Sequence, residues 1–464
     1  MSASFKPLPR NVSRTLLQVF LAWKSLLILI AAFTPGPGYD TSAFILYDSH
    51  ASRHVRFHTL SRVNRLSLNL FRWDALYFVK AAQRGYVHEQ EWAFSWTYTR
   101  VLSFVAHLLT GNAEPSLRLY IWTSIVISNL CHFVSVLALY QLLKTTLSHN
   151  QPGKIPLVAA ILHIMSPAGM FLCAPYTEAP FSALSMLGIL CYVLARESGS
   201  SVDGWSARQD LCILASGILL AVATMIRGNG LLNGLVFLYD VLCFLPRLST
   251  LRLSMGEFRR ILATSVAGVL IAFGYFSPQW LAYKEYCVTL APSAGRRPWC
   301  NATIPSIYSW VQSNYWNVGF LRYWTFSNLP LFLLAAPTLW LLFQSSTTIL
   351  YDLTRSIAAK SGSSKEGRSS WTNSPGTGIC KLPQLALPQL ALAVLAATNF
   401  HVQIVSRLAS GYPIWYLVVA KWAIDRRSSQ GPAKQEVLSQ WVIRWMIMYS
   451  VIQGILFANF LPPA

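Results

Sequence analysis

Residues 211–226 read LCILASGILLAVATMI, a run without a single charge that stops at Arg227-Gly228-Asn229-Gly230. Comparable runs recur from one end of the chain to the other, among them ILATSVAGVLIAFGYF at 261–276 and LALPQLALAVLAA at 385–397. A soluble core cannot hide that much continuous apolar surface. In lipid every backbone N–H and C=O must be satisfied within the segment, so such runs predict helices. Allowing roughly 17 to 25 residues per span, and some shorter ones, gives about eleven. They fall near 14–33, 116–144, 155–173, 176–195, 209–226, 229–246, 258–283, 329–345, 384–401, 411–425 and 437–460. The expected fold class is therefore an all-α polytopic membrane protein. Composition agrees: 54% of residues are hydrophobic and 12% charged, about half the charged fraction of an ordinary soluble chain. The 17 Trp, 20 Tyr and 24 Phe suit two membrane–water interfaces.

The formal net charge is +20, from 37 Lys and Arg against 17 Asp and Glu. No basic module or low-complexity arm accompanies it, which excludes a nucleic-acid partner. The charge sits instead in short loops, at Lys144/Lys154, Arg247/Arg252/Arg259/Arg260, Arg355/Lys360/Lys365/Arg368 and Arg426/Arg427/Lys434. These alternate with loops poor in basic residues, and the positive-inside rule assigns the basic set to the cytosol. Residues 1–13 are then a cytosolic amino terminus and 14–464 form one transmembrane domain. Two large insertions, 34–115 and 284–328, and a short polar stretch near 401–413 face the lumen. The Ser/Gly-rich stretch 361–378 is expected to be a flexible cytosolic loop. The first apolar segment lacks a small-residue cleavage site and reads as an uncleaved span. Polar sequence is concentrated on one side, unlike a transporter, whose ionisable residues gather at the bilayer midplane.

The first insertion carries Phe71-Arg72-Trp73-Asp74-Ala75-Leu76-Tyr77-Phe78, then Gly85-Tyr86 and Glu89-Gln90-Glu91-Trp92-Ala93-Phe94. Asp74 is either a general base for an acceptor hydroxyl or, more plainly, a helix N-cap or a surface partner for Arg72. Sugar transfer from a phosphate carrier needs only one base, because the leaving group departs as a stabilised anion; a hydrolase needs a second carboxyl. Such a site also needs cations or dipoles at the phosphate. Glu89 and Glu91 either meet a metal or a sugar hydroxyl or are simply solvated. Arg227, Arg322 and Arg407 lie at span ends, where a guanidinium forks onto phosphate oxygens or merely snorkels to the interface. Glu178, in Tyr176-Thr177-Glu178, is an acid at a membrane edge, and so either paired or functional. His401 and Gln403 open another polar segment, where a lone His is more often a satisfied interface residue. The eight cysteines form no CxxC pair and no metal framework. Cys287 and Cys300 share one expected lumenal loop, where a disulfide is chemically allowed although spacing alone does not bring their Cα atoms together. Asn301-Ala302-Thr303 is a glycosylation sequon in the same loop, while Asn11-Val12-Ser13 falls on the cytosolic side.

In order along the chain stand Trp73-Asp74, Gly85-Tyr86, Ala93-Phe94, Ser166-Pro167-Ala168, Tyr176-Thr177-Glu178 and Arg227-Gly228-Asn229-Gly230-Leu231. Pro298-Trp299-Cys300, Ile307-Tyr308-Ser309-Trp310-Val311-Gln312, Tyr315-Trp316-Asn317-Val318-Gly319-Phe320-Leu321-Arg322-Tyr323, His401-Val402-Gln403 and Asn459-Phe460-Leu461-Pro462 follow. From about Arg72 onward this pattern resembles the GPI mannosyltransferase 2 family (PIG-V type), a branch of the GT-C glycosyltransferases. The resemblance implies a GT-C fold and transfer of the second, α-1,6-linked mannose from dolichyl-phosphate mannose to the GPI precursor glycolipid. It implies the lumenal face of the endoplasmic reticulum membrane, inversion at the anomeric carbon, Asp74 as catalytic base, and a small membrane partner subunit. The expected substrate-binding set is Arg72, Trp73, Glu89, Glu91, Trp92, Glu178, Arg227, Asn229, Gln312, Tyr315, Trp316, Asn317, Arg322, His401, Gln403 and Arg407. No cofactor is named, and dependence on a divalent metal is left open. One departure stands out: Ser95-Trp96-Thr97-Tyr98-Thr99-Arg100 replaces the family's Pro-rich continuation, which leaves the backbone there less constrained in φ. The rival readings are a GT-C enzyme with a different lipid-linked acceptor, a lipid or sugar-phosphate transporter, and a non-catalytic subunit.

Overall fold

The long apolar runs are helices in the computed structural model, which describes residues 9–36, 38–48, 60–148, 151–197, 206–248, 254–289, 297–361, 379–425 and 434–461. In chain order they begin with α1 (Arg10–Phe33). The first insertion holds α2 (Ser42–Asp48), α3 (Arg62–Leu70), α4 (Asp74–Arg84) and α5 (Trp96–Thr110). Then come α6 (Leu117–Thr146), α7 (Ile155–Ile164), α8 (Glu178–Glu197), α9 (Ala207–Ile226), α10 (Gly234–Leu242), α11 (Leu245–Leu248) and α12 (Met255–Tyr283). The chain closes with α13 (Ile307–Trp316), α14 (Leu329–Ser361), α15 (Leu387–Thr398), α16 (Val405–Leu408), α17 (Ile414–Ile424) and α18 (Lys434–Ala458). The expected flexible loop 361–378 lies outside the described residues beyond Ser361.

Among the described residues seven helices are long and apolar enough to cross a membrane: α1, α6, α8, α9, α12, α14 and α18. The expected total of about eleven spans is thus not reached by length and composition. Three expected spans are the shorter apolar helices α7, α15 and α17. The eleventh, 229–246, breaks into a 3₁₀ segment at Gly228–Asn233 followed by α10 and α11. The span expected at 155–173 ends as α7 at Ile164, because Pro167 biases Ser166 away from helical torsions. Residues 165–177 then run as irregular turns. Their carbonyls are satisfied by side chains from other helices. Lys24 Nζ donates to the Leu172 carbonyl at 2.8 Å, Asn129 Nδ2 to Cys173 at 3.1 Å and Ser128 Oγ to Tyr176 at 3.3 Å. Irregular backbone in a membrane protein is tolerated where protein covers it in this way.

Helix starts follow local chemistry. Ser95, Ser116 and Ser306 each accept from a backbone N–H three residues on, and Ser254 with Glu257 forms a capping box. Helices α9 and α12 approach closely through small residues. A Cβ on Gly217 would lie 2.7 Å from the Ala267 Cα, and one on Gly274 would lie 2.3 Å from the Ala221 carbonyl oxygen. Dispersion and polar contacts at such close approaches hold helices together where lipid supplies no hydrophobic drive. Gln389 is one such polar tie: its Nε2 donates to Leu342 O and to Ser345 and Ser346, while its Oε1 accepts from Trp415 N.

Candidate active site

Asp74 is the first residue of α4, where the positive end of a helix dipole favours a carboxylate. The preceding residue, Trp73, holds φ 55° and ψ −127°, a left-handed conformation that costs a non-glycine residue about 1–3 kcal/mol. The turn is pinned by the Tyr176 hydroxyl, which accepts from Asp74 N at 3.2 Å and donates to Arg72 O at 3.1 Å.

The Asp74 carboxylate meets Arg407, whose Nη2 lies 2.8 Å from Oδ2. Arg407 is presented by the short helix α16, and its guanidinium sits 4.3 Å over the Phe171 ring and 5.1 Å over the Tyr176 ring. The same guanidinium holds Glu178, through Nε at 2.8 Å and Nη2 at 2.7 Å. Arg227, just beyond the end of α9, adds Nη1 at 2.9 Å from the same Glu178 oxygen and donates to Thr177 Oγ1 at 2.9 Å. Burial alone would discourage charge on Arg407, but Glu178 and then Asp74 hold its pKa above the ordinary value. Glu178 is 1% exposed and Asp74 35% exposed. The cluster thus balances two acids against two guanidinium groups, with the buried acid as anchor and Asp74 at the open end. Asp74 Oδ1 makes no hydrogen bond among the described residues. One oxygen of an oriented carboxylate is therefore available to an incoming hydroxyl.

The remaining expected residues sort into three groups. Asn229 packs beside the cluster, exchanging hydrogen bonds with the Tyr412 hydroxyl at 3.1 and 3.0 Å. Trp316 joins it through Phe94, edge to face at 5.7 Å, which in turn stacks at 4.4 Å on Tyr77 of α4. Arg72 is buried beside Trp73, with its Nη2 on Asn69 Oδ1 at 3.0 Å.

A second group is engaged by protein. Glu91 takes Arg84 at 2.5 Å and the Val87 and His88 amides at 2.8 and 3.1 Å, which closes its own turn. Glu89 accepts from Trp299 Nε1 at 3.1 Å and pairs with Arg297 at 3.3 Å. Trp92 packs between Tyr86 and Tyr286. His401 Nε2 lies 2.8 Å from Trp316 O with its ring stacked on Tyr323, and Gln403 Oε1 accepts from the Tyr323 hydroxyl.

The third group faces outward. Tyr315, Asn317 and Arg322 are exposed, Gln312 is half-buried, and among the described residues the ion pairs to Asp74 and Glu178 come from Arg227 and Arg407. Cys287 and Cys300 are joined in a disulfide with Cα atoms 5.6 Å apart, and Asn301 next to it is exposed. Sequence reasoning did not single out Phe171 or Tyr412, which gain their roles only through contacts distant in sequence. Among the described residues no three His, Cys, Asp or Glu side chains converge as metal donors.

Known proteins with similar sequences point in one direction. Residues 13–464 match the family described as Mannosyltransferase (PIG-V). GPI mannosyltransferase 2 of Aspergillus oryzae is 39% identical over 98% of this chain and 97% of its own. GPI mannosyltransferase 2 of Gibberella zeae is 38% identical over 97% of each. Among solved structures, the archaeal oligosaccharyltransferase AglB from Archaeoglobus fulgidus, in complex with an inhibitory peptide and a dolichol-phosphate, aligns over 96% of this chain. That overlap takes in 55% of the AglB chain, at 11% identity and a TM-score of 0.47.

Proposed function

This chain belongs to the PIG-V mannosyltransferase family and is a glycosyltransferase, and on that premise we propose that it adds the second, α-1,6-linked mannose to the GPI precursor. The donor in this reading is dolichyl-phosphate mannose, the fold is of GT-C type, and the reaction takes place at the lumenal face of the endoplasmic reticulum membrane. The observation that carries it is the half-committed Asp74 carboxylate, with Oδ2 on Arg407 and Oδ1 open.

Asp74 Oδ1 takes the proton of the acceptor's primary hydroxyl as that oxygen attacks the anomeric carbon. The bond from that carbon to the phosphate oxygen breaks on the opposite face, so configuration inverts and dolichyl phosphate leaves with the electron pair. Arg227 commits Nη1 to Glu178 and Thr177, and its remaining N–H groups are the donors best suited to the phosphate. Arg407 plays a different part: it fixes the base against the buried Glu178, which favours a near-attack geometry. Trp73 and Trp316 line the approach to Asp74, whereas Arg322 is left to the exposed surface. A small membrane subunit is the proposed protein partner.

The test is a microsomal assay with radiolabelled dolichyl-phosphate mannose and a one-mannose GPI acceptor. Wild type is expected to form the two-mannose product, and Asp74→Asn to lose about 10²–10⁴-fold in rate at equal protein level. Product formation by Asp74→Asn at the wild-type rate removes the base assignment. Absence of product from wild type, with or without a co-expressed partner, removes the acceptor assignment.

A further inference from the structure

Trp73 keeps its left-handed torsions although tryptophan gains nothing from them, so something outside the turn must impose them. The contacts point to residues 457–460, almost four hundred positions away. Phe460 is itself left-handed at φ 59° and almost fully buried. Its ring lies 5.0 Å from that of Trp73, and the Arg72 guanidinium sits 5.0 Å over it. One aromatic ring therefore supports both residues that precede Asp74.

Phe460 is in turn fixed from three directions. Its amide donates to Phe457 O at 3.0 Å, and the Leu461 amide donates to Leu456 O at 2.9 Å, so the chain folds back over the end of α18. Tyr39 N donates to Asn459 O at 2.9 Å. Gly38, with φ 99°, comes so close that a Cβ there would lie 3.0 Å from that same oxygen. Phe457 continues the support, meeting Tyr176 at 5.7 Å and Phe171 at 5.5 Å. Tyr176 pins the Asp74 amide and Phe171 underlies Arg407.

We propose that Phe460 is a positioning residue for sugar transfer, its ring holding the strained Arg72-Trp73 turn so that Asp74 faces the acceptor hydroxyl. The inference rests on Asp74 being the base. A small rotation of the turn would swing the carboxylate away from the reacting oxygen without touching either substrate, and misplacements of about 1 Å cost roughly 10²-fold in rate. The signature is therefore a fall in kcat with little change in KM for the acceptor.

The test is kinetics on the full chain in microsomes, with Phe460→Tyr, Phe460→Leu and Phe460→Ala beside wild type and Asp74→Asn. The expected result is a kcat lowered roughly 10- to 100-fold in Phe460→Leu and Phe460→Ala, an acceptor KM within about twofold of wild type, and recovery in Phe460→Tyr, which keeps the ring. Wild-type kcat in Phe460→Leu, or an effect on KM alone, overturns the proposal. Should Phe460→Ala fail to accumulate, Phe460→Leu decides, because it removes the ring yet leaves a branched apolar side chain and a smaller cavity than alanine would. The two assignments fail separately: an active Asp74→Asn refutes the base, whereas an inactive Asp74→Asn beside a fully active Phe460→Leu refutes the positioning role alone.

Discussion

A single Glu178 oxygen collects N–H groups from two guanidinium groups, one of which also holds Asp74, and the cluster's chemistry follows from that sharing. Arginine suits the Arg407 position because a planar fork addresses two carboxylates at once, whereas lysine offers one compact point charge. Arg407→Lys is therefore expected to keep the protein folded yet lower transfer about 10²-fold, read as two-mannose product per unit of enzyme. Glu178→Gln acts on stability instead. It strips the neutralising charge from two mostly buried guanidinium groups and should cost about 3–5 kcal/mol, seen as a lowered midpoint of thermal aggregation in detergent. An unchanged midpoint would mean that the cluster does not stabilise the bundle. Asp74, Glu178, Arg227 and Arg407 were all legible as sequence, since an acid or arginine at a membrane edge is costly enough to need a reason. Their partnership was not. Glu178 and Arg407 stand 229 positions apart, and no local pattern links a residue to a partner that only the folded bundle supplies. Glu89 and Glu91 show the converse, being conspicuous acids whose partners Trp299, Arg297 and Arg84 occupy them with structural work.

Between helices, the α9–α12 contact sets where Arg227 stands, because Arg227 follows directly on the last turn of α9. Gly274 of α12 lies against the α9 backbone, where a Cβ would come within 2.3 Å of the Ala221 carbonyl oxygen. Backbone cannot yield as a side-chain tip does, so Gly274→Ala should force the helices apart at about 1–3 kcal/mol and carry Arg227 with them. Gly268→Ala on the same helix is the control, since its Cβ would meet only Phe237 Cβ at 3.9 Å. Thermal midpoint and transfer activity are expected to fall together in the first variant and to hold in the second. Equal behaviour of the two would contradict the close approach. Long uninterrupted runs such as 211–226 were readable because hydropathy and helix length coincide there. The 165–177 segment was not, because it is as apolar as a span and differs only in how its carbonyls are satisfied. That answer lies in Lys24, Ser128 and Asn129, on helices α1 and α6. The run at 229–246 misled for a related reason: Gly230 packs against Thr224, where a Cβ would lie 2.8 Å from its Cα, and the chain turns there instead of continuing.

The side of the membrane that Asp74 faces can be read from a single gel shift. Glu89 is bound to Trp299 and Arg297, so residues 89–93 and the disulfide-closed segment at 297–301 lie on one face. Between Asp74 and Glu89 the chain contains α4, which at 11 residues is too short to cross, since a span needs about 17 or more. Asp74 and Asn301 therefore share one side of the membrane. Asn301 is exposed and heads an Asn-Ala-Thr sequon, a site read only in the lumen. The basic loops, set on the opposite side by the positive-inside rule, supply the complementary reporter: Gly367→Asn creates a sequon with Arg368 and Ser369 in the segment 361–378. Wild type is expected to gain mobility on endoglycosidase treatment, Asn301→Gln to show no shift, and Gly367→Asn in the Asn301→Gln background to remain unmodified. Modification at position 367, together with a wild type whose Asn301 carries no glycan, would invert the molecule, put Asp74 in the cytosol, and rule out transfer at the lumenal face.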